Sequence, residues 1–175
     1  MARDGQLQQW KVKEEVSAVL FKKRRDEDQK QGQADECVAC FKKGINCTQA
    51  VLSTYGRRYG LDPEIALRMS GAFGSGMGMG ETCGAVTGAL MVIGLKHSNV
   101  SGSMLLSRDR TEDVAHEFVE RFKALHGTVV CRELLGCDVT TPDGLKTAKQ
   151  EKHFKKRCPE YVKDAALILE EILKD

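Results

Sequence analysis

The chain has no surplus of either charge. Over 175 residues, 27 Lys and Arg stand against 25 Asp and Glu, a net of +2, with the two signs mixed along the sequence. A nucleic-acid-binding domain usually carries a strongly basic face, so that class of partner is not expected. Long apolar runs are also missing. The longest, Cys83 to Leu95, falls short of the ~20 residues that a bilayer span needs. Met1 to Trp10 is polar, and the apolar stretch around Val16 to Phe21 is too short and interrupted for a secretory signal. A cytoplasmic protein without a membrane partner is the expectation. Strand-like alternation is nearly absent, since Val129-Val130 is too brief to count, and no internal repeat is detectable.

What remains is an ordinary globular composition, 41% hydrophobic and 30% charged, at a length that suits one domain plus a short appendage. Residues 1–33 read as that appendage, a charged N-terminal extension. Trp10, Val12, Val16, Val19 and Leu20 form an apolar helical stripe, followed by the charge-dense run Lys22 to Lys30 and a tether, Gln31-Gly32-Gln33. Residues 34–175 read as the folded domain, and the punctuation there is helical. A first helix from about Asp35 to Lys43 stops at Gly44. A second starts at Cys47, carries Val51, Leu52, Tyr55 and Tyr59, and stops at Gly60. Asp62-Pro63-Glu64 places an N-cap, a first-position proline and a first-turn carboxylate at the head of a third, ending near Ser70. A glycine-rich loop, Gly71 to Gly80, precedes a buried apolar helix from Cys83 to about Lys96. Thr111-Glu112-Asp113 opens an amphipathic helix with Val114, Phe118, Phe122 and Leu125 inward, closed by Gly127. Short turns follow at Cys131 to Leu135 and after Thr141-Pro142. The last helix begins at Pro159 with Val162, Ala166, Leu169 and Leu173 on one face. The expected fold is all-α: an irregular single-domain helical bundle.

Seven cysteines are present. In a reducing compartment they are more often metal ligands or redox thiols than structural disulfides. Four share one placement. Cys47 follows Asn46 and Cys83 follows Thr82, both good N-caps; Cys131 precedes Arg132-Glu133-Leu134-Leu135; Cys158 precedes Pro159. Each falls in the first turn of an expected helix, where free N–H groups and the helix dipole favour an anion and lower a thiol pKa. Arg132, Lys156 and Arg157 are expected to add positive charge. The four are scattered rather than grouped in compact C-x₂-C blocks, so they match no common zinc or ferredoxin spacing. Cys37 and Cys40 do form a C-x-x-C, but with no preceding strand they read as core or surface cysteines, an accessory pair remaining open. Cys137 reads as incidental. His97, His116, His126 and His153 lack H-E-x-x-H pairing and read as surface or satisfied histidines.

The glycine loop lacks the Gly-Lys-Ser/Thr of a phosphate loop and follows a helix rather than a strand. Its use is close approach. Gly76, Gly78 and Gly80 let backbone N–H groups turn toward an anionic group beside Cys83, and Gly84 with Gly88 leaves a flat helix face for a cofactor or, better, for a neighbouring helix.

At these residues the sequence resembles a known family. Gly44-Ile45-Asn46-Cys47-Thr48-Gln49-Ala50-Val51-Leu52, then Cys83-Gly84-Ala85-Val86-Thr87-Gly88, then Cys131-Arg132-Glu133-Leu134-Leu135-Gly136, then Cys158, resemble in order the redox-active family called C_GCAxxG_C_C. The resemblance covers about Ala34 to Leu173. It implies redox activity and a site at Cys47, Cys83, Cys131 and Cys158. The related split-Soret cytochromes carry an iron–sulfur site and haem; haem does not transfer, because Phe41 follows Cys40 where attachment needs His. The expected function is therefore electron transfer through an iron–sulfur cluster on the four thiolates. The alternatives are a metal-free dithiol/disulfide oxidoreductase and a structural zinc-binding interaction module. A redox partner protein is expected, its identity not readable from the sequence, and a homodimer is open.

Overall fold

The computed structural model describes residues 32–98 and 103–174. The apolar stripe and charged run read in the N-terminal extension lie outside the described residues. The described residues, nearly all in the unit that begins at Gln33, form an all-α fold. In chain order it holds α1 (residues 32–42), α2 (Cys47–Tyr55), α3 (Pro63–Met69), α4 (Gly84–His97), α5 (Met104–His126), α6 (Cys131–Leu135), α7 (Pro142–Gln150), α8 (His153–Lys156) and α9 (Cys158–Ile172). Among the described residues the nearest thing to a sheet is one antiparallel bridge, Thr82 with Val130. None of their helices is long and apolar enough to cross a membrane.

α4 is the centre. Ala85, Val86, Ala89, Val92 and Ile93 are fully buried, and the helix packs on α2, α5 and α9. Each buried Val or Ile contributes about 1.5–3 kcal/mol relative to exposure. The α2–α4 contact is backbone-close because of glycine. A Cβ on Gly88 would stand 2.9 Å from the Thr48 carbonyl oxygen and 3.1 Å from the Val51 Cβ. The flat face of α4 therefore receives a helix, the closer-packed of the two expected uses. α9 covers the other side with Val162, Ala166 and Leu169, and the Tyr55 hydroxyl donates to the Ala166 carbonyl at 3.2 Å.

Three features differ from expectation. α5 begins at Met104, seven positions before Thr111. Thr111 is no cap: its hydroxyl donates back to the Ser107 carbonyl at 2.7 Å, the bond that satisfies a threonine inside a helix. Nothing in the run Leu105 to Arg110 breaks a helix, and Arg108 pairs with Glu112 one turn on. Leu125 on the same helix is exposed. Phe118 and Phe122 set the inward stripe, and the next place on it falls to His126, whose ring packs 4.6 Å from Phe122. Finally, Gly71 to Gly80 is not a plain loop. It contains a tight turn, Gly71–Phe73, and a wide π-type turn, Gly76–Gly80.

Candidate functional site

The four cysteines singled out by their helix starts line one cavity. Cys47, Cys83, Cys131 and Cys158 share its walls with Phe41, Asn46, Ser75, Leu134, Leu135, Phe154 and Tyr161, around a volume of about 130 Å³. Each thiol comes from a different helix. Cys47, Cys131 and Cys158 are the first residues of α2, α6 and α9, and Cys83 is the N-cap of α4. Sulfurs up to 111 positions apart in the chain thus meet because four helices point their N-terminal ends at one place.

Local sequence places each one. Asn46 and Gln49 form a reciprocal capping box that starts α2 beneath Cys47. Cys83 and Cys131 flank the Thr82–Val130 bridge: the Cys83 N–H donates to the Val129 carbonyl at 2.8 Å and the Cys131 N–H to the Glu81 carbonyl at 2.6 Å. α6 is ended by Gly136 at φ 71°, and its last carbonyls accept from the Arg157 guanidinium and the Tyr161 hydroxyl. Those bonds tie α6 to the head of α9 and so bring Cys131 toward Cys158.

Side chains at the start of α2 hold both the glycine segment and α3 over it, a role beyond the N-cap that the sequence shows for Asn46. The Asn46 amide donates to the Gly71 carbonyl at 2.9 Å, the Thr48 hydroxyl to the Phe73 carbonyl at 3.1 Å, and the Gln49 amide to the Leu67 carbonyl at 2.8 Å. Ser75 and Met77 sit at positive φ, 53° and 60°, without being glycine, a strain proteins retain where the surrounding structure demands it. Here it aims the Ser75 N–H at the Cys47 sulfur. Gly76 is buried, and a Cβ there would collide with residue 81 backbone and stand 2.9 Å from the Cys131 Cβ. Gly84 lies directly against the Cys47 sulfur. Gly78 is exposed with open space where a Cβ would be, and Gly80 packs toward Arg132 and Asp138. Gly76 and Gly84 therefore pack against cavity cysteines from behind, and none of the four glycines lines the cavity itself.

The electrostatics depart from the helix-start expectation. Only Cys47 is lowered, to about 7: the Cys83 thiol donates to its sulfur, and backbone N–H groups of Ser75, Thr48 and Cys47 itself help, together outweighing burial. Cys83, holding the shared proton, is raised well above the ordinary thiol range by that hydrogen bond, by burial and by the Cys47 charge. Burial pushes Cys131 and Cys158 up to about 12, with the Cys47 charge adding to both. Desolvation of the anion thus exceeds what a helix start supplies. The expected cations are also elsewhere. Arg132 is paired with Glu81, Arg157 caps α6, Lys156 is exposed, and among the described residues no Lys or Arg lines the cavity. Cys37 is a fully buried core thiol raised to about 12 by burial. Neither it nor Cys40 lines the cavity.

Residues 45–172 match the model of the family described as Putative redox-active protein (C_GCAxxG_C_C). The chain belongs to this family. No curated protein and no solved structure matches it. The C_GCAxxG_C_C match takes in all four cavity cysteines and the glycine segment, so the family region and the thiol cavity coincide.

The donor set bears on what such a site holds. Among the described residues, no group of three or more His, Cys, Asp or Glu is placed to hold a metal ion. A single tetrahedral zinc, at Zn–S near 2.3 Å, draws its sulfurs to within about 4 Å of one another. Four cysteines are a ligand set both of structural zinc sites and of [2Fe–2S] and [4Fe–4S] centres.

Proposed function

We propose that this redox-active protein transfers electrons through an iron–sulfur cluster held by Cys47, Cys83, Cys131 and Cys158. The observation that carries the reading is the shared cavity: four thiols, from four helix starts, on one apolar-walled space. Such a cluster, when bound, supplies one-electron chemistry. The protein's part is to hold the ligands and exclude water, and Phe41, Leu134, Leu135 and Phe154 form the apolar part of that wall. Backbone N–H groups at Ser75 and Thr48 already point at the Cys47 sulfur, and such hydrogen bonds to sulfur tune a cluster's potential.

Anaerobic purification, visible absorbance and assays of iron, sulfide and zinc test this. The expected result is absorbance with iron and sulfide, lost in Cys83→Ser. A colourless protein that stays colourless after anaerobic reconstitution with iron and sulfide overturns it.

One observation favours a second reading. Cys47 and Cys83 form a hydrogen-bonded pair of one near-neutral and one protonated thiol, the arrangement a dithiol/disulfide oxidoreductase uses. The Cys47 thiolate would attack an external disulfide, releasing one thiolate, and Cys83 would then displace the second thiol to close a Cys47–Cys83 disulfide. In that case the metal-free protein cycles by two thiols per molecule, and Cys83→Ser traps the mixed disulfide on Cys47.

A further inference from the structure

Another thiol lies beside the wall of the four-thiol cavity, and its surroundings are built. Cys137 follows α6, and its sulfur is 3.7 Å from Nδ1 of His153. The other ring nitrogen, Nε2, is 2.6 Å from the Glu151 carboxylate. His153 is 94% buried, since its residual exposure is 6%, so the ring is held rather than swinging in solvent. The carboxylate can only accept, which fixes the proton on Nε2 and leaves Nδ1 free to accept from the Cys137 thiol. Nucleophile, base and orienting carboxylate thus stand in the order that activates a cysteine. Lys152, between the two partners, is held at φ 58°. That strained turn lets Glu151 and His153 face each other two positions apart.

Near these partners in the chain, positive charge outnumbers the carboxylates of Asp138, next to Cys137, and Glu151. The Arg157 guanidinium lies 3.5 Å from where a Cβ on Gly136 would be, beside Cys137, while Lys149, Lys152, Lys155 and Lys156 are exposed on the same stretch of chain. The cysteine is partly exposed. The group is also next to the four-thiol cavity: Phe154, the residue after His153, is in the cavity wall, and Cys131 feels the charge of Cys137.

We propose that Cys137, His153 and Glu151 form a separate thiol–disulfide exchange site for small anionic disulfides. His153 Nδ1 takes the thiol proton as the Cys137 sulfur attacks one sulfur of the disulfide. The old S–S bond breaks, a new one joins Cys137 to half of the reagent, and the leaving thiolate collects the proton from His153. One thiol and one disulfide become one mixed disulfide and one thiol, with no other oxidant. The site is distinct from the four-thiol cavity and does not depend on what that cavity holds.

The test uses the full-length protein, reduced and as purified, with dithiobis-nitrobenzoate as the anionic disulfide and dithiodipyridine as the neutral one. A fast kinetic phase with the anionic reagent is expected, with peptide mapping placing the first adduct on Cys137. Cys137→Ser abolishes the phase. His153→Gln and the exposed Glu151→Gln each slow it, His153→Gln by at least about tenfold, less than the ~10²–10⁴ usual for a general base because thiols ionise partly unaided. Added salt slows the anionic reagent and leaves the neutral one unchanged. A first adduct elsewhere, a fast phase that survives Cys137→Ser, or rates untouched by Glu151→Gln in protein of unaltered circular dichroism overturns the site. A salt-independent rate overturns the anionic class. Visible absorbance of Cys137→Ser, read alongside, keeps this test apart from the cluster reading, since cluster content depends on Cys83 and not on Cys137.

Discussion

The sulfur of Cys47 lies against Gly84, in the space that a Cβ at position 84 would fill. One contact therefore serves both the packing of α4 on α2 and the placing of the only thiol with a lowered pKa in the cavity. A side chain at 84 would also come within 2.6 Å of the Thr48 hydroxyl. Gly84→Ala gains up to about 1 kcal/mol of helix propensity but incurs about 1–3 kcal/mol of overpacking, so a net loss of stability is expected in chemical denaturation. Gly88→Ala meets backbone and Val51 rather than sulfur. It is expected to destabilise comparably while leaving Cys47 alone. Equal effects of the two on Cys47 alkylation would contradict the contact.

Cys47 is expected to titrate near pH 7 in the reduced, metal-free protein, because Cys83 donates to its sulfur. The pH dependence of iodoacetamide labelling, read by peptide mass at Cys47, measures this. Cys83→Ala removes the largest lowering influence and leaves burial, so the midpoint moves upward. The sign for stability follows from the same shift. Cys47 is more acidic folded than unfolded, where a thiol titrates near 9. Its contribution is full above pH 9 and is lost as pH falls through 7.

The buried thiols act in the opposite direction. Cys37, Cys131 and Cys158 are raised to about 12 by burial, so the folded protein holds protons that the unfolded chain gives up near 9. Their stabilisation is complete below pH 9 and disappears as pH rises toward 12. Unfolding free energy of the metal-free protein is expected to decline over that window, by about 1.4 kcal/mol per pH unit for each thiol. Cys37→Ala lowers the plateau by removing a core sulfur, but its diagnostic effect is a shallower slope. An unchanged slope would show that Cys37 ionises as readily folded as unfolded.

How much of this was legible in the sequence differs by link. Asn46 before Cys47 and Gly136 after Leu135 are local signals, and the start of α2 and both ends of α6 were readable to the residue, whereas α2 gives way after Tyr55 to a tight turn, Gly56–Tyr59, rather than running on to Gly60. The glycines at 84 and 88 announced a close approach, and α2 is what approaches. That four sulfurs share one cavity was only an inference from their common placement, because the contacts among α2, α4, α6 and α9 are tertiary. The thiol pKa values were misjudged for three of the four because a helix start is visible in sequence and depth of burial is not. Ser75 and Met77 gave no sign of left-handed backbone, since neither is glycine. The Cys137–His153 pair spans 16 positions and was hidden for the same reason.

Asn46 connects the local and tertiary parts of the site, and its removal is expected to affect both. Its side-chain oxygen accepts from the Gln49 N–H at 2.8 Å, capping α2, while its amide donates to the Gly71 carbonyl. Asn46→Ala loses the cap, about 1 kcal/mol, and a loop hydrogen bond of similar worth. Asn46→Asp keeps the cap and loses the amide's bonds to the Gly71 and Ser70 carbonyls, because a carboxylate cannot donate. If the glycine segment is what holds the Ser75 N–H on the Cys47 sulfur, both variants raise the Cys47 labelling midpoint, although Asn46→Asp costs less stability. A midpoint that rises in Asn46→Ala alone would instead assign the effect to the helix start.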